Sequence, residues 1–364
     1  MPEVMQDMQE IRTLAREFAQ AELRPHTERW DHERAIDAAV RTQIAELGFF
    51  GMITPEPFGG MGFDTATYAT ALEQLAWGEP GVALLVAQSA IAAALIDQYG
   101  SDAQKRQWLE PLASGGVLPC FALAEATAGS DLSSIDTRAR RERDGWILTG
   151  RKAWVTNPGI AKLAFVLARV DNQVKLFLVP KDAGWTTGTR EDTPGLKTLE
   201  IAELVLDGVK VNDDALLEAR VALPSAPTGE LGRLSIAAIS VGLAQAALDH
   251  ALAYANEREQ FETKLRHFEG LQYKLADMAV RVEAARQLTL YAATRQQERL
   301  IAMAKLFASE SAMFVTTQAV QIFGGYGYMR DYPVEKLMRD AKGMELLEGS
   351  NELQRVYIAQ ALYE

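Results

Sequence analysis

A chain of 364 residues is too long for one ordinary hydrophobic core, so two or three subdomains are expected. Apolar residues at 48% and charged residues at 24% are the proportions of a globular protein. A net charge of −12 and a pI near 5.0 argue against nonspecific binding to nucleic acid or to an anionic membrane surface.

Residues 1–7 have neither the basic start and apolar core of a secretory signal nor an Arg-rich transit pattern. Cys120 is the single cysteine, so an internal disulfide is excluded and a reducing, cytoplasmic setting is expected. Cys120 itself reads as a small buried hydrophobe. His26, His32, His250 and His267 show no metal-ligand spacing, and no metal is expected.

Val4, Met8, Ile11, Ala15 and Phe18 recur at helical spacing, which predicts a helix from Val4 to about Trp30. Helices and turns alternate to about Leu112, broken at Gly48, at Gly78-Glu-Pro-Gly81 and at Gly100. The glycine-rich stretch 55–62 lacks the Gly-Lys-Ser/Thr ending of a phosphate cradle and reads as a turn. The most apolar run, 82–96, is interrupted by Gln88 and Ser89. It falls short of the roughly 20 residues of a membrane span, and a buried helix is expected instead.

After Gly115-Gly116 the pattern changes. Residues 117–123, 146–149, 163–170, 174–179 and 204–211 are short β-branched or aromatic runs between Gly, Asp and Asn turns, which predict strands. From Gly229 helical periodicity returns: Ile236, Ile239 and Leu243 open one long helix, residues 271–290 and 300–320 give two more, and Leu353, Val356, Tyr357 and Ala361 mark the last. The fold class is α+β, mostly α: an N-terminal helical domain (1–115), a middle β domain (116–222) and a C-terminal helical bundle (223–364).

Near the C-terminus a glycine-rich stretch, Gln321-Ile-Phe-Gly-Gly325, precedes Glu348-Gly349-Ser350-Asn-Glu352. A Gly directly after an acid allows a sharp bend and close approach of a ligand to the backbone. Local chemistry leaves two readings open. Glu348 is either a solvated loop acid with Ser350 capping the last helix, or a carboxylate held dry, where its raised proton affinity makes it a base.

Taken in order, the motifs resemble those of the acyl-CoA dehydrogenase family across essentially the whole chain. Ala124-Glu-Ala-Thr-Ala-Gly129-Ser130-Asp131 is similar to the family's flavin loop, and Trp154-Val-Thr156-Asn157 to its Trp-Ile-Thr-Asn strand. Glu257-Arg258-Glu-Gln-Phe261 resembles the segment that reaches the cofactor of a neighbouring subunit. Gln321 through Gly325 resembles another cofactor contact, and Glu348-Gly349 falls where many members place the catalytic base.

The resemblance implies FAD held by Leu123, Ala124, Gly129, Ser130, Trp154, Thr156, Ser350 and Glu352. It implies a contact to a neighbour's FAD from Arg258 and Phe261, and further FAD contacts from Gln321, Gly324 and Gly325. Ser130, Arg233 and Gly349 would touch substrate. Some relatives carry the base directly before this Arg, where this chain has Gly232, so Glu348 is the candidate. The implied reaction is α,β-dehydrogenation of an acyl thioester, acyl-CoA in the first instance. Electrons would pass to an electron-transfer flavoprotein, and a homotetramer is expected.

The chain departs from the family at several points. Ala124 and Ala126 replace Thr and Pro, Glu262 replaces Gly, Glu269 replaces Gln, and a Gly-rich turn is missing between Leu217 and Gly229. These keep two alternatives open: an oxidase or monooxygenase on the same fold, and a non-catalytic subunit of a hetero-oligomer.

Overall fold

A computed structural model describes residues 2–218 and 228–363. Most of the segment between Leu217 and Gly229, where the Gly-rich turn is missing, therefore lies outside the described residues.

The N-terminal part is built from α1 (Pro2–Phe18), α2 (Thr27–Glu33), α3 (Ala38–Glu46), α4 (Thr65–Gly78), α5 (Pro80–Tyr99) and α6 (Asp102–Ala113). The expected first helix is broken before Trp30 by a π-helical turn at Ala19–Leu23 and a 3-10 turn at Arg24–His26. Pro25 occupies that second turn, where it cannot donate to the helical ladder. Other helix starts follow their caps. Asp64 accepts from the amides of Ala66 and Thr67 at 2.8 Å each, and Ser101 and Gln104 form a capping box.

The middle part comprises β1 (Pro119–Ala122), β2 (Arg138–Glu142), β3 (Gly145–Thr156), β4 (Leu163–Val170), β5 (Gln173–Pro180), β6 (Thr186–Arg190), β7 (Ile201–Asn212) and β8 (Leu216–Leu217). They form one sheet in the order β6-β7-β3-β2-β4-β5-β8, with β1 parallel to β4. β2 and β6 are not among the expected strands, because Arg-Ala-Arg-Arg-Glu and Thr-Thr-Gly-Thr-Arg offer almost no apolar alternation. β3 outruns its expected four residues and bulges twice against β7, the second time between Lys152 and Val155. That bulge re-aims Trp154, as bulges beside functional sites do.

The C-terminal part has α7 (Gly229–Glu257), a short hairpin of β9 (Glu259–Gln260) and β10 (Thr263–Lys264), α8 (Glu269–Arg295), α9 (Glu298–Phe323), α10 (Pro333–Leu346) and α11 (Asn351–Gln360). α7 is apolar on every side from Leu234 to Leu248 and runs through the middle of the molecule against α9 and α4. One apolar core extends from Ile11 in α1 to Met344 in α10, so the two helical ends of the chain share it.

α5 is 20 residues long, longer than the apolar run legible in the sequence. By length and composition alone it could span a membrane, as could α7 and the stretch Glu298–Tyr328. In this fold 78%, 89% and 56% of their most apolar windows are buried inside the protein, which accounts for their apolarity. Cys120 is buried in β1, and burial pushes its thiol up. Among the described residues no cluster of His, Cys, Asp or Glu could hold a metal ion.

Candidate active site

The turn between α10 and α11 places Glu348. α10 stops at Leu346, Glu348 takes a left-handed backbone (φ 54°), Gly349 follows at φ 85°, and the Ser350 hydroxyl caps α11 by accepting from the amide of Leu353. Both readings of this stretch are therefore partly right: Ser350 is a cap, yet Glu348 is not a solvated acid. It lines a cavity of about 580 Å³ between the sheet, the start of α7 and the α10–α11 turn. Its Oε2 accepts from the Thr228 hydroxyl at 2.5 Å. Burial pushes its carboxyl above the ordinary range, against the Thr228 hydrogen bond and the positive charges of Arg233 and Lys305.

The opposite side of this site belongs to α7. A Cβ at Gly232 would lie 2.3 Å from Glu348 Oε2. The position before Arg233 and the position of Glu348 thus compete for one space, and glycine at the first makes room for the carboxylate at the second. Arg233 is buried, donates to Glu298 Oε1 at 3.0 Å and leaves its Nε without a partner. Glu230 is exposed on the first turn of α7 and does not line the cavity.

The sheet supplies the facing wall. Leu123, Ala124, Gly129, Ser130, Trp154 and Thr156 line the same cavity as Glu348, Gly349, Ser350 and Arg233. Trp154 sits at φ 55° with 52% of its surface accessible, an unusual exposure for an indole. The 123–131 loop is held by a buried ion pair that sequence reasoning missed. Lys152 Nζ lies 2.8 Å from Glu125 Oε1 and donates to the carbonyl of Leu123 at 2.9 Å, while Glu125 also accepts from the amides of Asp136 and Thr137. A smaller cavity of about 190 Å³ shares Ala124, Trp154, Thr156 and Glu348 and extends to Leu84, Ala87, Gln88 and Ile91 of α5. Gln88 Oε1 in that extension has no hydrogen-bond partner.

Arg258, Phe261, Gln321, Gly324 and Gly325 do not line either cavity. They gather at the far end of α7, where the Arg258 guanidinium lies 5.3 Å from the centroid of the Tyr326 ring and Tyr254 stacks on Phe323 at 4.0 Å. A Cβ at Gly324 or Gly325 would meet nothing within 4 Å. Glu352 is exposed on the first turn of α11, and it too is outside the lining. Thr228 and Lys305 complete the set missed in the sequence. Lys305 had a visible signal, since it interrupts the buried stripe Ile301, Ala304, Ala308 and Ala312 of α9.

Two helical parts that share one core, a β sheet beside them and a desolvated carboxylate in the cavity where they meet define a three-part fold with a single candidate catalytic base. Family models for the acyl-CoA dehydrogenase N-terminal, middle and C-terminal domains match residues 5–116, 120–209 and 228–363. The chain is 39% identical to a probable acyl-CoA dehydrogenase of Bacillus subtilis (strain 168), covering 99% of each. It is 37% identical to the mitochondrial short-chain specific acyl-CoA dehydrogenase of Bos taurus, over 98% of this chain and 90% of the relative. Among solved structures, butyryl-CoA dehydrogenase from Megasphaera elsdenii superposes with a TM-score of 0.94 at 37% identity, covering 98% of each chain. A chain from a study of the electron transferring flavoprotein of Acidaminococcus fermentans gives 0.94 at 37%, covering 98% and 97%. A glutaryl-CoA dehydrogenase from Mycobacterium smegmatis in complex with FADH2 gives 0.94 at 28%, covering 98% and 94%. The chain belongs to the acyl-CoA dehydrogenase family, a class of FAD-dependent oxidoreductases.

Proposed function

We propose that this enzyme dehydrogenates an acyl-CoA to the 2-enoyl-CoA, with Glu348 as the base that removes the α proton. The observation that carries the reading is the Glu348 carboxyl itself, desolvated, left-handed at its backbone and aimed into a cavity large enough for a ligand. A positioned carboxylate of raised proton affinity is matched to proton abstraction near neutral pH, worth roughly a hundredfold to ten-thousandfold.

The residues present fit FAD. Trp154 offers an exposed indole face in the cavity wall, Thr156 lies two residues along the same strand, and Gly129 has open space at its backbone. When bound, the flavin supplies the acceptor for the β hydrogen. Trp154 would pack against the ring system, Thr156 would donate to its edge, and Ser130 with the Gly129 backbone would contact the pyrophosphate and lie beside the substrate. Arg233 and Gly349 would border the thioester. Electron transfer onward to an electron-transfer flavoprotein, and a homotetramer in which Arg258, Phe261, Gln321, Gly324 and Gly325 reach a neighbour's FAD, complete the reading. The separation of that second group from the Glu348 cavity supports the last point.

Glu348→Gln is nearly isosteric but cannot take a proton. The variant is expected to fold, bind FAD and still perturb the flavin spectrum with butyryl-CoA, while flavin reduction falls by several orders of magnitude, since only the transition-state role is lost. Anaerobic stopped-flow spectroscopy checks this, and near-normal bleaching would refute Glu348 as the base. Slow reoxidation of the reduced enzyme by air distinguishes the dehydrogenase from a same-fold oxidase.

A further inference from the structure

Beneath the Glu348 turn lies a side chain to which no role has been given. Lys305 sits in the third turn of α9 with none of its surface accessible. Its ammonium donates to the carbonyls of Glu345 at 3.1 Å and Gly349 at 2.8 Å, and to Asn351 Oδ1 at 2.8 Å. An ammonium has three donors, and all three go to neutral oxygens. The acceptors come from the end of α10, the turn itself and the start of α11, so residues 345–351 close around one nitrogen. Ser309, one turn further along α9, donates to the same Asn351 oxygen at 3.1 Å. Gln354 of α11 adds a bond to the carbonyl of Gly349 at 3.0 Å.

A non-glycine residue in the left-handed region persists only where its surroundings over-determine it. Here the surroundings are Lys305 and its acceptors. The ionised groups facing the ammonium are Glu348 in the turn, Glu345 of α10, Glu352 of α11 and Glu310 of α9, and they act on it through space. We propose that Lys305 is a positioning residue for Glu348: it fixes the turn that aims the carboxylate into the cavity, and it adds a buried positive charge beneath that carboxylate. This rests on the reading of Glu348 as the base.

The fixed turn bears first on the rate of proton removal, and on acyl-CoA binding only through the backbone of Gly349. A nearby cation favours the ionised carboxylate, so removing it moves the acid limb of the pH–rate profile to higher pH. Burial lowers Lys305 itself to about 8, against the four carboxylates. The wild-type rate should therefore also decline above that pH, as the amine loses a donor and its charge.

The test is the rate of anaerobic flavin reduction by butyryl-CoA in the FAD-loaded protein, followed across pH. Lys305→Met is expected to lower the limiting rate tenfold or more, of the order seen for a misplaced catalytic group, with half-saturation changed less than about twofold. Its acid limb should rise by about one pH unit, and Lys305→Arg should bring the limb back toward wild type. A folded Lys305→Met protein with an unmoved acid limb overturns the proposal, because a purely structural lysine would change rate and stability without moving that limb. Asn351→Asp covers the case in which neither variant folds. It keeps an oxygen for Lys305 and Ser309 and adds a charge that holds the ammonium protonated, so the alkaline decline should move up by about one pH unit. An unmoved alkaline limb overturns the proposal equally. Near-normal reduction by Glu348→Gln would remove the base and this role with it, whereas an inert Glu348→Gln with an unmoved Lys305→Met limb removes only the role of Lys305.

Discussion

At the scale of single residues, left-handed backbone marks the places where sequence and site meet. Glu348 and Trp154 both face the candidate active site at φ near 55°, and such residues cost on the order of 1–3 kcal/mol each. The sequence advertised one of them through the glycine after Glu348, but nothing beside Trp154 signalled its conformation, because the bulge that imposes it is set by pairing with β7. A third case lies outside the cavity. Phe261 and Glu262 are the two central residues of the β9–β10 hairpin, at φ 54° and 61°, a primed turn whose second position favours glycine. The departure from the family at Glu262 is therefore a backbone matter. Its side chain is exposed, so Glu262→Gly loses no packing and relieves the strain. The variant should be more stable by about 1 kcal/mol or somewhat less, after the entropy glycine loses on folding. A higher thermal midpoint with unchanged FAD content is the expected readout, and a lower midpoint would refute the account.

At the scale of elements, α10 was the least legible and is among the most consequential. Its sequence, Pro-Val-Glu-Lys-Leu-Met-Arg-Asp-Ala-Lys, is assigned no element from periodicity, yet Lys336 and Asp340 are buried on its inner face. Lys336 Nζ lies 2.9 Å from Glu79 Oε2 and 2.7 Å from Asp340 Oδ2. Burial disfavours the ammonium, but Asp340 and Glu79 together hold it above the ordinary lysine range. Burial and the charge of Asp340 push Glu79 up, against Lys336. The remaining oxygens are also used: Glu79 Oε1 accepts from the amide of Gly81 and the hydroxyl of Thr198, and Asp340 Oδ1 from the amide of Leu196. One triad thus ties the hinge between α4 and α5, the 195–198 loop and α10, and that loop and α10 both line the cavity. A charge buried this way has no period to reveal it in sequence; only the partners, far apart in the chain, make it affordable. Lys336→Met leaves two carboxylates without their cation and should cost about 3–5 kcal/mol. Denaturant titration of the holoenzyme would register it as a large fall in midpoint, and a midpoint within experimental scatter of wild type would show that the triad contributes nothing net.

At the scale of the whole molecule, the order of helical, β and helical parts was readable because the change from helical to strand-like patterning and back is abrupt at Gly115-Gly116 and at Gly229. What periodicity could not say is which surface covers which. α7 is buried on all sides from Gly232 to Ala244 because α4, from the other end of the chain, packs on it along with α9, and a stripe in the sequence does not name its partner. The same limit applies to the outside of the molecule. Phe261 is 90% exposed and Tyr328 82% exposed, with Tyr326 and Met329 nearby in sequence and also exposed. Arg258 reaches over Tyr326 in the same region. Exposed aromatic groups of this kind, beside an arginine suited to phosphate, are what the proposed assembly needs if one subunit holds the FAD of another. Arg258→Ala removes the guanidinium but leaves the Glu348 cavity untouched, so loss of cofactor from the variant would have to come from between subunits. It should release FAD more readily, seen as a lower ratio of flavin to protein absorbance after gel filtration, and light scattering on the same column should show a shift toward smaller species. Because binding and assembly are linked, excess FAD should partly restore the larger species. A monomer that keeps a full complement of FAD would refute the shared-site assembly and place the whole cofactor on residues of a single chain.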